Sequence, residues 1–182
     1  MKAPKPINML KFLVECGGWE QITGSKKSER KNYIFLENTK SLNLPVEWIT
    51  AFLFQDLQLK DVHCKFPKAI NSFVNALNKS KIHRERFIKL KKYTNDECRL
   101  IIDIFETAGL FRNPNNVDTF LAVTFHDFPL KKSFLEICFK FLLKTPLKTV
   151  IDANNDKKKI KTEIRNFRVK RLQEFISTRS FF

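Results

Sequence analysis

The chain has 182 residues, with 34 Lys and Arg against 19 Asp and Glu, a formal net charge of +15. A hydrophobic share of 43% that includes 19 phenylalanines excludes global disorder, and only 4 glycines argue against a turn-rich all-β fold. No apolar run approaches the roughly 18 residues that a bilayer-spanning helix needs.

Met1 to Pro6 carries Lys2 and Lys5, but Lys11 and Glu15 interrupt the apolar run that follows, so no secretory signal is expected. Ile7 to Cys16 has the spacing of a first helix, with Met9, Leu10, Leu13 and Val14 apolar and Gly17-Gly18 ending it. The glycine doublet lacks a following Gly-Lys-Ser/Thr, so it is a cap rather than a phosphate loop. Thr23 to Lys31 is polar and basic, a surface loop. Asn32 to Glu37 alternates as a strand, Asn38-Thr39-Lys40 turns it, and Ser41 to Leu44 pairs back. The expected fold is therefore mainly α, a compact helical domain with a small β-hairpin near the N-terminus. If that hairpin served as a wing, with Lys26, Lys27, Arg30, Lys31 and Lys40 on a phosphate backbone, the fold would be winged-helix-like.

Pro45 suits the first position of a helix whose Val46, Ile49, Leu53 and Leu57 bury one face, broadened by Trp48, Phe52 and Phe54. Pro67 opens another, striped by Ile70, Phe73, Val74 and Leu77. His63-Cys64 lies between them, and His83 and His126 share no metal or triad spacing with it. The segment Lys79 to Lys92 follows with seven basic residues and one acid. Lys81, Arg84, Arg86, Lys89, Lys91 and Lys92 are its outward candidates for phosphate contact.

Residues 93–144 form a predicted three-helix core. Thr94-Asn95-Asp96-Glu97 is a capping box, Ile101, Ile104, Phe105 and Ala108 follow at helical spacing, and Gly109 stops the helix. A loop at Asn113 to Asn116 leads to a second helix from Val117 with Phe120, Leu121 and Phe125. After Asp127-Phe128-Pro129, the third carries Leu130, Phe134, Ile137, Cys138, Phe141 and Leu142 on one side and ends before Pro146. Three such helices make a helix-turn-helix or an ordinary bundle, and pattern alone favours the bundle. In Tyr93-Thr94, Leu100-Ile101-Ile102, Phe105, Gly109 and Phe134-Leu135-Glu136-Ile137 this stretch resembles the C-terminal part of RteC-type regulators of conjugative elements. The resemblance implies similarity to winged-helix DNA binders at that end.

A linker at 145–156 separates a domain at 1–144 from a basic terminal helix within 157–182. Lys157, Lys158, Lys159, Lys161, Arg165, Arg168, Lys170 and Arg171 stand on that helix against one acid up to Arg171. Arg165, Arg168 and Arg171 recur every third residue as a strip suited to bidentate phosphate contacts. The 29 residues of the two basic segments hold +13 of the +15. A base composition rich in A and T inflates lysine, but it spreads lysine evenly. Clustering is an electrostatic footprint.

The expected function is nucleic-acid binding, DNA or RNA, by a regulator or accessory factor that neutralises phosphates through two basic helices. The alternative is an interaction module or structural subunit docking on an acidic protein, which needs an exposed apolar centre within the basic face. Membrane-surface binding is less suited, since neither basic helix has a tryptophan-bearing insertion face. No catalytic residue, metal site or cofactor is expected. Four cysteines without a C-x-x-C read as reduced thiols of an intracellular protein.

Overall fold

Every regular element among the described residues is helical. The computed structural model describes residues 6–24, 32–37, 44–55, 65–90, 95–152 and 157–178. In order, the helices are α1 (Pro6–Glu15), α2 (Gly18–Thr23), α3 (32–37), α4 (Val46–Leu53), α5 (Lys68–Lys89), α6 (Asn95–Thr107), α7 (Val117–Thr124), α8 (Pro129–Lys144), α9 (Lys148–Asp152) and α10 (Lys157–Ser177), with a short 3₁₀ turn at Pro114–Asn116. The chain divides into two compact units, residues 1–78 and 79–182, and the division falls within α5.

The first unit is built on aromatic contacts. Phe35 stacks on Phe52 with ring centroids 3.8 Å apart, Trp48 on Phe73 at 4.2 Å, and Phe54 meets Phe66 at 4.7 Å and Trp19 at 5.6 Å. These contacts overturn the expected hairpin. Residues 32–37 are helical, burying Asn32, Phe35 and Leu36 at the i, i+3, i+4 positions and leaving Ile34 outside. Tyr33, Ile34, Phe35 and Leu36 are apolar in succession, so alternation could not separate a strand from a helix, and packing of Phe35 decided it. The turn and most of the second strand, with Lys26, Lys27, Arg30, Lys31 and Lys40, lie outside the described residues. Without a strand or wing among the described residues, the winged-helix expectation fails with the hairpin. In α4 the buried side is Trp48, Ala51 and Phe52, while Val46 of the expected face is exposed.

Expected as two segments, Pro67 to Leu77 and Lys79 to Lys92 are joined in one 22-residue α5 up to Lys89. No glycine or proline interrupts that run, so nothing forces a break. Its part in the second unit buries Ser80, Arg84 and Phe87.

In the second unit α6 buries Cys98, Ile101, Ile102, Ile104 and Phe105. It ends in a Schellman arrangement. Gly109 takes φ 71°, its N–H donates to Glu106 O at 3.0 Å, and the Leu110 N–H donates to Phe105 O at 2.9 Å. The left-handed φ explains why glycine stands there. α7 packs on α8, and α10 packs on α6, α8 and α9. The buried side of α8 is Phe134, Leu135, Cys138, Phe139 and Leu142. Leu130 and Ile137, expected on that side, are exposed. α8 is apolar on most of its circumference, so the sequence did not single out one face. The expected linker contains α9.

A lysine closes α5. Lys131 Nζ donates to Phe87 O at 2.9 Å, to Leu90 O at 3.0 Å and to Ile88 O, and it lies 5.5 Å from the Phe87 ring centroid. All three ammonium hydrogens thus meet carbonyls at the C-terminal end of the helix, the negative end of its dipole, of which Phe87 O also accepts from the Leu90 N–H at 3.2 Å. Burial pulls the Lys131 pKa down from its ordinary value, so the site holds its charge through these acceptors. Lys131→Met keeps the stem and removes the donors. It should lower unfolding free energy by about 1–3 kcal/mol, read by urea denaturation, with faster amide exchange at the end of α5.

Candidate nucleic-acid interface

The two basic segments meet different fates. In the second half of α5, Lys79, Ile82, Arg86 and Lys89 are exposed and follow at i, i+3, i+7 and i+10 on one stripe about 15 Å long. Lys79, Arg86 and Lys89 have no ion-pair partner among the described residues. Ile82, 63% exposed, stands in their midst. Lys81 pairs with Glu85 one turn on at 4.0 Å. Arg84 does not face solvent. It is buried, its Nε donates to Ser80 Oγ at 3.1 Å, and desolvation lowers its pKa to about 10 against the opposing pull of Glu85. Its position one turn after Ser80 and one before Phe87 puts it on the buried side of the helix. Lys91 and Lys92, with Tyr93, lie outside the described residues.

On α10 Arg168 turns inward, Arg165 is half-exposed and Arg171 is exposed. Arg165 pairs through Nη2 with Asp103, and its Nη1 lies 3.9 Å from Glu106. Arg168 Nη1 is 3.8 Å from the other Glu106 oxygen, and its guanidinium carbon sits 3.6 Å from the Phe111 ring centroid. Arg168 Nε is buried without a hydrogen-bond partner, and desolvation lowers the Arg168 pKa while Glu106 raises it. Asp103 and Glu106 are i, i+3 on α6, as Arg165 and Arg168 are on α10, so the two pairs match in spacing. Arg171 pairs with Glu174 on its own helix at 2.6 Å. A spacing of three drifts by about 60° per step around a 3.6-residue helix, so the three arginines spread over about 120° rather than one strip. Among the other candidates, Lys159, Lys161 and Lys170 are exposed without an ion-pair partner among the described residues. Lys157 and Lys158 open α10, and their side chains fall outside the described set.

Sequence reasoning passed over Asp103, Glu106, Phe111 and Lys131. The first two carried a usable signal, since an i, i+3 acid pair beside the apolar side of α6 is placed to meet a cation on a packed neighbour. Elsewhere the chemistry is plain. His126 Nε2 lies 3.2 Å from Asp127, and His126 Nδ1 is 3.1 Å from Val123 O. Cys98 and Cys138 are buried free thiols. Burial, then the Glu97 charge, pushes Cys98 up to about 11, and burial raises Cys138 further. Cys16 is exposed, and Cys64 with His63 lies outside the described residues. Among the described residues there is no metal-holding group of His, Cys, Asp or Glu, and no helix long and apolar enough to cross a membrane.

Comparison of the chain with protein-family models, with curated proteins and with solved structures finds no match.

The α6–α10 contact should be unequal in its parts. Arg168→Met, at a side chain 15% exposed over Phe111, should cost about 2 kcal/mol. Arg165→Met, at 41% exposed, should cost under about 1 kcal/mol. Denaturant midpoints of the two variants check the order, and equal losses would remove the special role given to the Phe111 contact.

Proposed function

We propose that the chain is a nucleic-acid-binding protein, a regulator or accessory factor rather than an enzyme, that holds the phosphate backbone with cations left unpaired on α5 and α10. One observation carries the reading, the stripe of Lys79, Arg86 and Lys89 facing solvent without a carboxylate partner among the described residues. Like charges on one helix face within about a Debye length repel. A polyanion relieves that repulsion and releases its own condensed counterions. The charge of the second unit supports the reading too. Residues 79–182 hold 23 Lys and Arg against 12 Asp and Glu, a net of +11. Lys159, Lys161 and Lys170 add unpaired cations on α10. Arg84, Arg165 and Arg168 are not in the proposed contact set, because Arg84 is buried and the other two are paired with Asp103 and Glu106. Contacts of this kind position a protein on phosphates and carry no base sequence.

Ile82 gives the acidic-protein reading its one specific support, since it supplies an apolar centre within the basic stripe. Fluorescence anisotropy against short single- and double-stranded DNA and RNA, over a series of salt concentrations, separates the two. Replacing Lys79, Arg86 and Lys89 by alanine should weaken binding and flatten the slope of log K against log salt by about 3 on duplex DNA. Arg165→Met should leave that slope unchanged. If no nucleic acid binds at low salt, the proposal is wrong, and the acidic-protein reading is the next to test.

A further inference from the structure

The outer side of α8 is a second surface, on a different helix from the basic stripe of α5. Leu130, Ser133, Ile137, Lys140 and Lys144 follow at intervals of three, four, three and four residues, the spacing of a helix-packing seam. The seam runs for about 21 Å. Leu130 is 71% exposed and Ile137 40% exposed, although α8 buries Phe134, Leu135, Cys138, Phe139 and Leu142 on its other side. Lys140 and Lys144 are exposed and have no ion-pair partner among the described residues. The acid on this part of the helix, Glu136, is held by Lys132 at 3.5 Å. The seam is thus aliphatic in its first half and increasingly cationic towards its C-terminal end.

We propose that this face of α8 docks an amphipathic helix of an acidic partner protein, with aliphatic side chains on Leu130 and Ile137 and carboxylates opposite Lys140 and Lys144. Charge complementarity selects this occupant. A second copy of the chain fits poorly: parallel pairing sets Lys140 and Lys144 against themselves, and antiparallel pairing sets Leu130 against Lys144. A phosphate backbone has no use for two aliphatic side chains along the seam. A helix laid along the seam uses both kinds of residue at once, reading its anchors at i, i+3, i+4 and i+7.

The probe is a synthetic helical peptide with leucines at that spacing flanked by glutamates. Its controls are a scrambled peptide of the same composition and a version with every glutamate changed to lysine. Anisotropy with the full chain should show binding of the first peptide and none of either control. Lys140→Glu/Lys144→Glu should weaken binding at least tenfold and should gain binding to the lysine peptide. Leu130→Gln/Ile137→Gln, at exposed positions, should weaken it comparably while the melting temperature holds. The Lys79, Arg86 and Lys89 alanine variant should bind as the parent does, which separates this surface from the α5 stripe. Equal binding of the scrambled peptide, or indifference to the Leu130 and Ile137 changes, would reduce the surface to unspecific charge and overturn the proposal. So would concentration-dependent self-association abolished by the same changes, since the occupant would then be a second copy.

Discussion

Arg168 holds its guanidinium over the Phe111 ring and beside Glu106, and it is the most buried of the four charges that meet between α6 and α10. A helix this basic offers few apolar anchors: Val169 and Leu172 are buried, and Phe175 stacks on Phe141 at 4.1 Å. Docking it on α6 therefore requires arginines on the inner side, and a desolvated arginine requires both an acid and a surface to lie on. Asp103 and Glu106 supply the acids, and Phe111 supplies the surface. Arg168 Nε remains without a partner, the part of the desolvation that the contact does not offset.

Two other cations of the second unit are held by neutral oxygens instead. Arg84 is turned to Ser80 in the buried side of α5, and Lys131 is spent on the carbonyls that end the same helix. Phe87 joins these features to the aromatic core. Its carbonyl accepts from Lys131, its ring lies 6.0 Å from Phe125 and 6.5 Å from Phe134, and it is fully buried. One residue thus ties the end of α5 to the residue after α7 and to α8. A chain rich in phenylalanine can do this repeatedly, because each ring presents a large apolar edge and a negative face to which a cation can turn.

What could be read in the sequence follows from how local each signal is. Gly109 was legible because a helix stop is decided within a few residues, and its left-handed φ is a local requirement. The spacing of Ile101, Ile104 and Phe105 was legible because only one side of α6 is strongly apolar. Residues 32–37 and α8 were not legible in the same way. In both, apolar residues occupy too much of the circumference for a period to choose a face, and the choice fell to partners distant in sequence. The arginine strip of α10 failed for a further reason: spacing says which residues neighbour one another on a helix, but not whether the helix turns them to solvent. That information sat on α6, in Asp103 and Glu106, some sixty residues away.

Pairing changes the role of charge without abolishing it. Long-range attraction depends on net charge, and the +11 of residues 79–182 is the same whichever cations are paired. Close contact depends on donors that are not already engaged. An arginine engaged by Asp103 or Glu106 has fewer free donors to offer, whereas an unpaired outward lysine offers all three of its own. The α6–α10 pairs therefore lower the number of contacts the surface can make and leave close contact to exposed cations such as Lys79, Arg86, Lys89, Lys159, Lys161 and Lys170. A ligand drawn by that field meets lysines more often than arginines. Lysine offers a point charge on a flexible stem rather than a planar fork. On the proposed reading, such a surface grips an anionic backbone along its length and leaves base sequence unread.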